Sequence, residues 1–258
     1  MHFRPKRKIP IETHVIGAAA LRRLLRLIRA RLAGTHECPV CRRRYRFEAF
    51  GDPPRPKARC PGCGAVERHR LLWLYLSREL FAESKRAYRI LHCAPEPCLS
   101  QQLRSLPGVQ YVSMDLSAND VSVKADITAL AFRDNSFDLV ICNHVFEHIP
   151  DDRAAMRELF RVCKVDGIAL SSVPYVAARD HTYEDWSITT PEGRRKAFGQ
   201  YDHVRTYSPG DYVRRVSDAG WTVTQLRYTD RFSEEEVSRF ALPLDCQKTI
   251  FRCDRRRV

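Results

Sequence analysis

From residue 88 onwards, short apolar runs alternate with longer amphipathic stretches, and this alternation sets the expected fold. The clearest run is Phe137–Cys142 (FDLVIC), in which five apolar side chains surround one acid. A short continuous apolar run predicts a strand buried on both faces of a parallel sheet. Turn-forming residues precede it at 134–136, and two aspartates after Pro150 are typical of a helix start.

The same pattern predicts the other elements of an α/β domain. Further strands are expected at 89–92, 110–114, 122–125, 167–173, 221–228 and 247–253, and helices at 99–106, 151–163 and 208–219. Strands that alternate with helices predict a parallel sheet with right-handed crossovers. The last two strands leave no room for a full crossover helix, so we expect an antiparallel edge. Ligands bind beyond the carboxyl ends of such strands, which places residues 143–148 at a site.

Two helices are predicted upstream of this domain. Residues 16–33 carry an apolar stripe with arginines mostly off it; the stripe is Leu21, Leu24, Leu25, Ile28 and Leu32. We expect the stripe to pack on the protein, but binding to an anionic membrane or to nucleic acid stays open. Residues 67–82 predict a second amphipathic helix that fixes an N-terminal module to the main domain. The basic arm at 1–12 is expected to be mobile.

The charge of the chain is unevenly distributed. Residues 1–60 hold 16 Lys and Arg against 4 Asp and Glu, a balance of +12 out of a total of +13. Any polyanion contact therefore belongs to residues 1–60, where nucleic-acid binding is an open alternative. No apolar run reaches the roughly 18 residues of a transmembrane segment, and no secretory signal is visible. We expect a cytoplasmic protein without a transmembrane segment; the oligomeric state is not indicated.

Four of the ten cysteines form two C-x-x-C pairs with 18 residues between them. The pairs are Cys38–Cys41 and Cys60–Cys63, a spacing typical of structural zinc sites. Four thiolates close a tetrahedral site, so the predicted role is folding rather than catalysis. Free buried thiols and a redox dithiol are the alternatives. Basic and aromatic residues between the pairs are typical of single-strand nucleic-acid surfaces and equally of a ribbon's small core.

The segment after the central strand contains a second motif associated with metals. His144-Val-Phe-Glu147-His148 matches the H-x-x-E-H pattern of certain zinc peptidases. That pattern belongs on a helix and needs a third ligand, whereas here it follows a strand and ends at Pro150. We therefore expect these side chains to line the mouth of a cofactor site or to cap the following helix.

Residues 88–258 resemble the class I S-adenosylmethionine-dependent methyltransferases, above all in DNSFDLVICNHVFEHIPDD. The cysteine pairs followed by ERHRLLWLYL, the loop APEP and the segment FGQYDHVRTYSPGDY resemble a bacterial subgroup with an N-terminal four-cysteine, zinc-ribbon-like module. The resemblance implies an α/β, Rossmann-like fold with a seven-stranded, mostly parallel sheet whose last strand is antiparallel. It divides the chain into a basic arm and helix (1–35), a zinc ribbon with its connecting helix (36–84) and a methyltransferase domain (85–258).

The resemblance also implies S-adenosylmethionine as cofactor and assigns residues to it. Asp115, at a strand end, is expected to hold the ribose hydroxyls, with a turn cap as the alternative role. The other expected cofactor contacts are Ala94, Glu96, Leu116, Asp126, Ile127, Asn143 and His144. Asp126 and Ile127 correspond to the adenine site, and Asn143 and His144 to the methionine side.

One loop departs from the family pattern. The first strand is followed by His92-Cys-Ala-Pro-Glu-Pro-Cys98, which lacks the glycines that normally let the backbone approach the cofactor. Ala94 is small enough to replace one of them, and Glu96 is placed to accept from the cofactor's amino group.

Residues 175–207 form a long polar and aromatic connection at the same sheet end, with a short helix at 191–198. Such a connection is usually functional, and we expect a lid over the acceptor. Its candidate substrate contacts are Tyr183, Glu184, Asp185, Tyr201, Asp202, His203 and Arg205. His203, as general base, and Tyr183 are the expected catalytic residues, although a structural histidine or no base at all remains open.

The expected function is methylation of a small molecule or biosynthetic intermediate. The alternatives are an RNA methyltransferase that docks through the ribbon and the basic helix, and a non-catalytic zinc-binding interaction protein.

Overall fold

The computed structural model describes residues 18–32, 34–82, 86–245 and 248–256. The strands are β1 (His36–Cys38), β2 (Arg43–Tyr45), β3 (Glu48–Phe50), β4 (Arg55–Arg59), β5 (Tyr88–Cys93), β6 (Val109–Asp115), β7 (Val123–Lys124), β8 (Phe137–Asn143), β9 (Cys163–Ser172), β10 (Tyr183–Glu184), β11 (Arg205–Thr206), β12 (Thr222–Arg227) and β13 (Thr249–Asp254). The α-helices are α1 (Ala18–Leu32), α2 (Glu67–Tyr75), α3 (Pro97–Arg104), α4 (Asp152–Val162), α5 (Pro191–Phe198), α6 (Pro209–Asp218) and α7 (Glu234–Phe240).

Seven strands form one sheet in the order β12-β13-β9-β8-β5-β6-β7. Neighbouring strands from β9 to β7 are parallel, whereas β13 is antiparallel to both β9 and β12. The predicted mostly parallel sheet with an antiparallel last strand is therefore confirmed. The element bounds differ from the predicted ones by only a few residues.

The central strand β8 is buried along all seven residues. Its single acid, Asp138, accepts from the Arg89 backbone N–H at 2.9 Å and from Lys164 Nζ at 2.9 Å, and it also pairs with Arg86. Burial by itself would raise the pKa of Asp138, but these partners hold it below its ordinary value. Partnered in this way, a carboxylate can occupy the middle strand of the sheet.

Helix α2 joins the cysteine-containing module to the sheet. It was predicted to be amphipathic, but eight of its nine residues are buried, so that prediction is wrong. It continues as a π-helix over Leu76–Leu80. Buried side chains of the module, of α2 and of the sheet, such as Tyr45, Trp73 and Leu139, belong to one hydrophobic core. The module is thus packed into the sheet domain rather than tethered to it.

Arg70 on α2 makes the polar part of that junction. Its guanidinium is fully buried and donates to the carbonyls of Ala58 (2.8 Å) and Ala65 (3.0 Å) in the module. It also donates to the carbonyls of Phe240 (2.8 Å) and Ala241 (2.5 Å) at the end of α7. One cation therefore satisfies four carbonyls from both sides of the junction, which supports the predicted anchoring role of this helix.

Helix α1 forms, but its apolar stripe does not pack on the described residues as expected. Four residues of the stripe are 45–47% exposed, namely Leu21, Leu24, Leu25 and Ile28, and the fifth, Leu32, is 84% exposed. The helix contacts the module through Leu27 and Ala30 and through an ion pair from Arg26 to Glu48 at 2.6 Å. The apolar stripe is therefore not packed on the described part of the protein. The arm at 1–12 lies outside the described residues, and among the described helices none is long and apolar enough to cross a bilayer.

The connection between β12 and β13 is longer than a hairpin, although the strands are antiparallel as predicted. It contains a 3-10 turn over Tyr228–Arg231 and helix α7. Ser233 and Glu236 cap α7 reciprocally, and its Arg239 pairs with Glu37 of β1 at 2.6 Å. A seven-residue helix is too short to give a clear periodic signal, so α7 escaped prediction.

Candidate active site and metal centres

A cavity of about 500 Å³ lies at the carboxyl ends of β5, β6 and β8, where the parallel sheet predicts a ligand site. The residues around it come from five chain segments and are Cys93, Ala94, Met114, Asp115, Leu116, Ser117, Ala125, Asp126, Ile127, His144, Val145, His148, Ile149 and Asp202. Its volume suits a cofactor of nucleoside size. Six of the eight predicted cofactor residues line it, and Glu96 and Asn143 do not.

Asp115 ends β6 and fills the turn-cap role that was considered for it as an alternative. Its Oδ1 accepts from the backbone N–H groups of Ser117 and Ala118, each at 2.8 Å, and so caps the turn. Burial by itself would raise the pKa of Asp115, but these hydrogen bonds lower it below its ordinary value. The carboxylate is therefore ionised at neutral pH, with Oδ2 left to accept from a ligand.

The other side of the cavity is more apolar. Ile127 is buried, whereas Asp126 is exposed and its Oδ1 accepts from the backbone N–H and hydroxyl of Thr128, each at 2.8 Å. These bonds lower the pKa of Asp126. A buried isoleucine beside a fixed carboxylate is chemically suited to a purine ring with an exocyclic amino group.

In the glycine-free loop after β5, an alanine adopts the left-handed backbone conformation that is usual for glycine. Ala94 has φ 45°, in the left-handed region that favours glycine, and its N–H donates to the Met114 carbonyl at 2.8 Å. Ala94 also lines the cavity. The loop therefore keeps the left-handed backbone conformation that glycine favours, with a single methyl group added.

Glu96 lies in a buried polar network behind that loop. Its Oε2 is 2.7 Å from His92 Nε2, and its Oε1 is 3.6 Å from His69 Nε2. Burial would raise the pKa of Glu96, but His92 outweighs it and the pKa falls to about 2. Burial lowers the pKa of His69 to about 3, so His69 is neutral and its contact with Glu96 is not an ion pair near neutral pH.

Glu96 and Asn143 therefore do not stand where they were expected. Both border a small neighbouring cavity with Arg68, and the Asn143 Oδ1 accepts from the Ser172 hydroxyl at 3.0 Å. Arg68 is a residue that sequence reasoning missed, because α2 was given only an anchoring role. Its Nε is buried and has no hydrogen-bond partner among the described residues. A run of charged residues such as ERHR does not indicate that one of its side chains is directed toward a cavity.

The H-x-x-E-H segment does line the cavity, as expected, but it does not cap the next helix. His144 and His148 border the cavity, while Asp151 Oδ1 caps α4 by accepting from the Ala154 N–H at 2.8 Å. His144 has φ 52°, and its Nδ1 lies 3.1 Å from Oε1 of the fully buried Glu147.

The connection 175–207 brings a third group to this segment. His203 is buried, its ring meets the His148 ring edge-on at 4.8 Å, and its Nδ1 lies 3.2 Å from the Phe198 carbonyl. One donor atom each from Glu147, His148 and His203 lie within 4.8 Å of one another. Burial lowers the pKa of His203 below its ordinary value. The neighbouring Asp202 lines the cavity, as a lid residue would.

Other candidates from this connection have structural partners instead. Arg205 is buried and donates to the carbonyls of Phe146 (2.7 Å), Ile149 (2.5 Å) and Pro150 (2.8 Å), so it cannot reach a substrate. Glu184 is held by Arg205 and Arg215 at 2.5 and 2.9 Å.

The remaining candidates also lie away from the cavity. Tyr183 packs on Phe198 at 5.4 Å, and neither it nor His203 lines the cavity. Asp185 folds onto Ser187, and Tyr201 is exposed.

The four cysteines of the two pairs converge on one point. Sγ of Cys38 is 3.6 Å from that of Cys63, and Sγ of Cys41 is 3.9 Å from that of Cys60. The two turns match: the N–H of Arg42 donates to Cys38 O and that of Gly64 to Cys60 O, both from left-handed residues. These sulfur distances exclude disulfides and form a compact four-thiol cluster.

Residues 98–171 match a protein family described as a methyltransferase domain, over less than a third of the chain. The uncharacterized protein YafE of Escherichia coli (strain K12) is 33% identical over 107 residues, which is 42% of this chain and 48% of that protein. The uncharacterized methyltransferase YcgJ of Bacillus subtilis (strain 168) is 27% identical over 128 residues, 48% of this chain and 42% of that protein. The chain spans about half the length of these relatives.

Two solved structures give the wider fold. The YcgJ protein from Bacillus subtilis superposes with a TM-score of 0.51 at 19% identity, over 74% of this chain and 100% of that one. An S-adenosylmethionine-dependent methyltransferase from Mesorhizobium loti superposes with a TM-score of 0.50 at 14% identity, over 72% of this chain and 98% of that one. At such identities the likeness concerns the fold, which is the Rossmann-like fold of class I methyltransferases.

Proposed function

We propose that this protein is an S-adenosylmethionine-dependent methyltransferase whose acceptor is a small molecule or biosynthetic intermediate. The observation that carries the proposal is Asp115, an ionised carboxylate at the end of β6 that lines the cavity beyond the sheet. The methyltransferase-domain match over residues 98–171 and the fold point to the same class. Residues 85–258 would form the catalytic domain.

The described residues fit this cofactor. Asp115 Oδ2 would accept from the ribose hydroxyls, Ile127 and Asp126 would contact the adenine, and the Ala94 backbone would pass close to the cofactor's centre. Arg68, whose buried Nε has no hydrogen-bond partner among the described residues, would bind the methionine carboxylate from the small neighbouring cavity. His144 lies on the same edge of the cavity.

The cofactor supplies an activated methyl group, and the protein's main task is to hold an acceptor in line with it. Such an acceptor would enter beside His148 and Asp202, the two polar residues that the cavity shares with the loop after β8 and with the connection 175–207. The catalytic domain has almost no net charge, since residues 61–258 carry only +1 of the total, which favours a small acceptor over a polyanion.

The four-cysteine cluster would hold one structural zinc ion. Sulfurs bound at about 2.3 Å in a tetrahedron lie about 3.8 Å apart, and the Cys38–Cys63 and Cys41–Cys60 sulfur distances here are 3.6 and 3.9 Å. With four thiolates the ion has no open position, so its contribution would be to fold the ribbon.

Transfer of a labelled methyl group tests the proposal. Purified protein is incubated with methyl-labelled S-adenosylmethionine and a cell extract that has been separated into small molecules, RNA and protein. We expect label in the small-molecule fraction with wild type and not with Asp115→Ala. Label in the RNA fraction would move the proposal to the RNA alternative, and label in none of the fractions would contradict it.

A further inference from the structure

We infer that Glu147, His148 and His203 form a binding site for one divalent transition-metal ion at the mouth of the cofactor cavity. This site is separate from the four-cysteine cluster. One donor atom of each residue already lies within 4.8 Å of the other two. Donors on one ion are about 3 to 3.5 Å apart, given bond lengths of about 2.0–2.2 Å, so small side-chain rotations would bring them into coordination.

The buried carboxylate of Glu147 points most directly to a cation. Glu147 is fully buried, and its Oε1 lies 3.1 Å from the His144 Nδ1. Oε2 is buried and makes no hydrogen bond within the described residues. An unsatisfied charged oxygen in the interior is costly, and a bound cation would satisfy it.

Each of the two histidines has an oxygen acceptor near its Nδ1 atom. His203 Nδ1 lies 3.2 Å from the Phe198 carbonyl, so Nδ1 carries the proton and Nε2 is left with a free lone pair. His148 Nδ1 lies 3.4 Å from Asp202 Oδ2, which favours the same tautomer. Imidazole ligands usually donate their second N–H to a carbonyl or carboxylate in this way.

The two chain segments that supply the ligands are fixed to each other. The Val204 N–H donates to the Glu147 carbonyl at 2.9 Å. The Arg205 guanidinium donates to the carbonyls of Phe146, Ile149 and Pro150, on both sides of the Glu147–His148 pair. The three ligands are thus positioned before any ion arrives, which reduces the ordering cost of binding.

Two imidazoles and one carboxylate leave coordination positions open and favour a first-row transition metal over Mg²⁺ or Ca²⁺. His148 is both a ligand and a cavity residue, so an open position would face the acceptor. This consequence rests on the proposed function: the ion would bind an acceptor hydroxyl and lower its pKa. The hydroxyl proton would pass to solvent, the oxygen lone pair would form the bond to the methyl carbon, and the carbon–sulfur pair would stay on sulfur.

Zinc stoichiometry tests the site. The full chain is dialysed to equilibrium against micromolar Zn²⁺, and bound zinc is measured per protein; Zn²⁺ is a stringent probe because N/O sites bind it more tightly than Mn²⁺ or Fe²⁺. We expect two zinc ions in wild type and one in His148→Gln and in Glu147→Gln. The matched controls His181→Gln and Glu192→Gln change exposed residues of the same types and should keep two.

One zinc in wild type, or two in His148→Gln, would overturn the inference. His148 is partly exposed, so its substitution decides the matter even if Glu147→Gln fails to fold. Calorimetric titration with S-adenosylmethionine separates this result from the proposed function. A wild type that binds the cofactor but only one zinc refutes the metal site alone, and one that binds two zinc ions but no cofactor refutes the methyltransferase proposal alone.

Discussion

The four-cysteine cluster and the Glu147–His148–His203 cluster both gather metal-binding side chains, but they do so in different ways. The cysteines come as two matched turns within 26 residues, and they surround one point completely. The second cluster takes two ligands from the loop after β8 and one from residue 203, and it borders an open cavity. A closed set of four thiolates suits folding, whereas three mixed ligands with open positions suit chemistry.

The comparison also shows which kind of site a sequence reveals. The spacing of the cysteines is a local pattern and therefore directly readable. His144-x-x-Glu147-His148 was not expected to hold a metal because it follows a strand and ends at Pro150, and His203, the third residue of the proposed site, lies 55 residues further on. The fold brings His203 to this segment in the connection between β10 and β11, whose strands pair Glu184 with Arg205.

The largest effect is expected from breaking the closed cluster. Cys60→Ser removes one of the four proposed zinc ligands, and structural zinc contributes on the order of 10 kcal/mol to such modules. We expect loss of the zinc held by the cysteines and rapid hydrogen exchange over residues 36–65, while β5, β6, β8 and β9 stay protected. Cys253→Ser, a buried cysteine of the sheet, is the control and should keep the zinc. Unchanged protection of residues 36–65 in Cys60→Ser would contradict the structural role.

The junction between the ribbon and the sheet should give the next largest effect. Arg70→Met leaves four carbonyls without their donor, three of them in buried hydrogen bonds, and each hydrogen bond to a charged group is worth about 1.5–3 kcal/mol. Allowing for relaxation, we expect the free energy of unfolding to fall by about 3–5 kcal/mol, measured by denaturant titration. Arg44→Met, an exposed arginine of the ribbon, should change it by less than about 0.5 kcal/mol. Equal effects of the two substitutions would refute the role of Arg70 in holding the junction together.

Opening the second cluster should cost little stability by comparison. His148→Gln affects a partly exposed side chain in the metal-free protein, so we expect a change in unfolding free energy within about 1 kcal/mol. The same denaturant titration, made in the presence of chelator, measures it. A loss as large as that of Cys60→Ser would mean that the cluster holds the fold together, and the contrast between the two sites would fail.

The smallest effect is expected outside both sites, on helix α1. Leu24→Ser with Leu25→Ser changes side chains that are already 45% and 47% exposed, so stability should change by no more than about 0.5 kcal/mol. The same variant tests what the stripe binds. Salt-dependent RNA binding that vanishes when residues 1–35 are deleted would support the RNA alternative, and we expect no such binding.

Much of the fold was predictable because its determinants are local. The burial of β8 follows from six consecutive residues, and the antiparallel β13 agrees with the family resemblance. The site was less predictable, since its geometry depends on contacts between distant segments. Asp115 ends a strand that the sequence pattern predicts. By contrast, Glu96 lies against His92, Arg205 donates to backbone carbonyls, and Arg68 of helix α2 borders the small cavity. The predicted packing of helix α1 was wrong for another reason. Periodicity shows that a helix has an apolar face, but it does not show what covers that face.

The central claim is that the cavity beside Asp115 binds S-adenosylmethionine, and calorimetric titration of wild type, Asp115→Asn and Asp115→Ala tests it most directly. Hydrogen bonds to a charged acceptor are worth about 1.5–3 kcal/mol, so Asp115→Ala should weaken binding by about 10- to 100-fold. Asp115→Asn keeps the Oδ1 acceptor that caps the turn and should weaken it less. Equal affinity in all three proteins would exclude Asp115 as the ribose ligand, and a wild type that does not bind the cofactor would contradict the methyltransferase account.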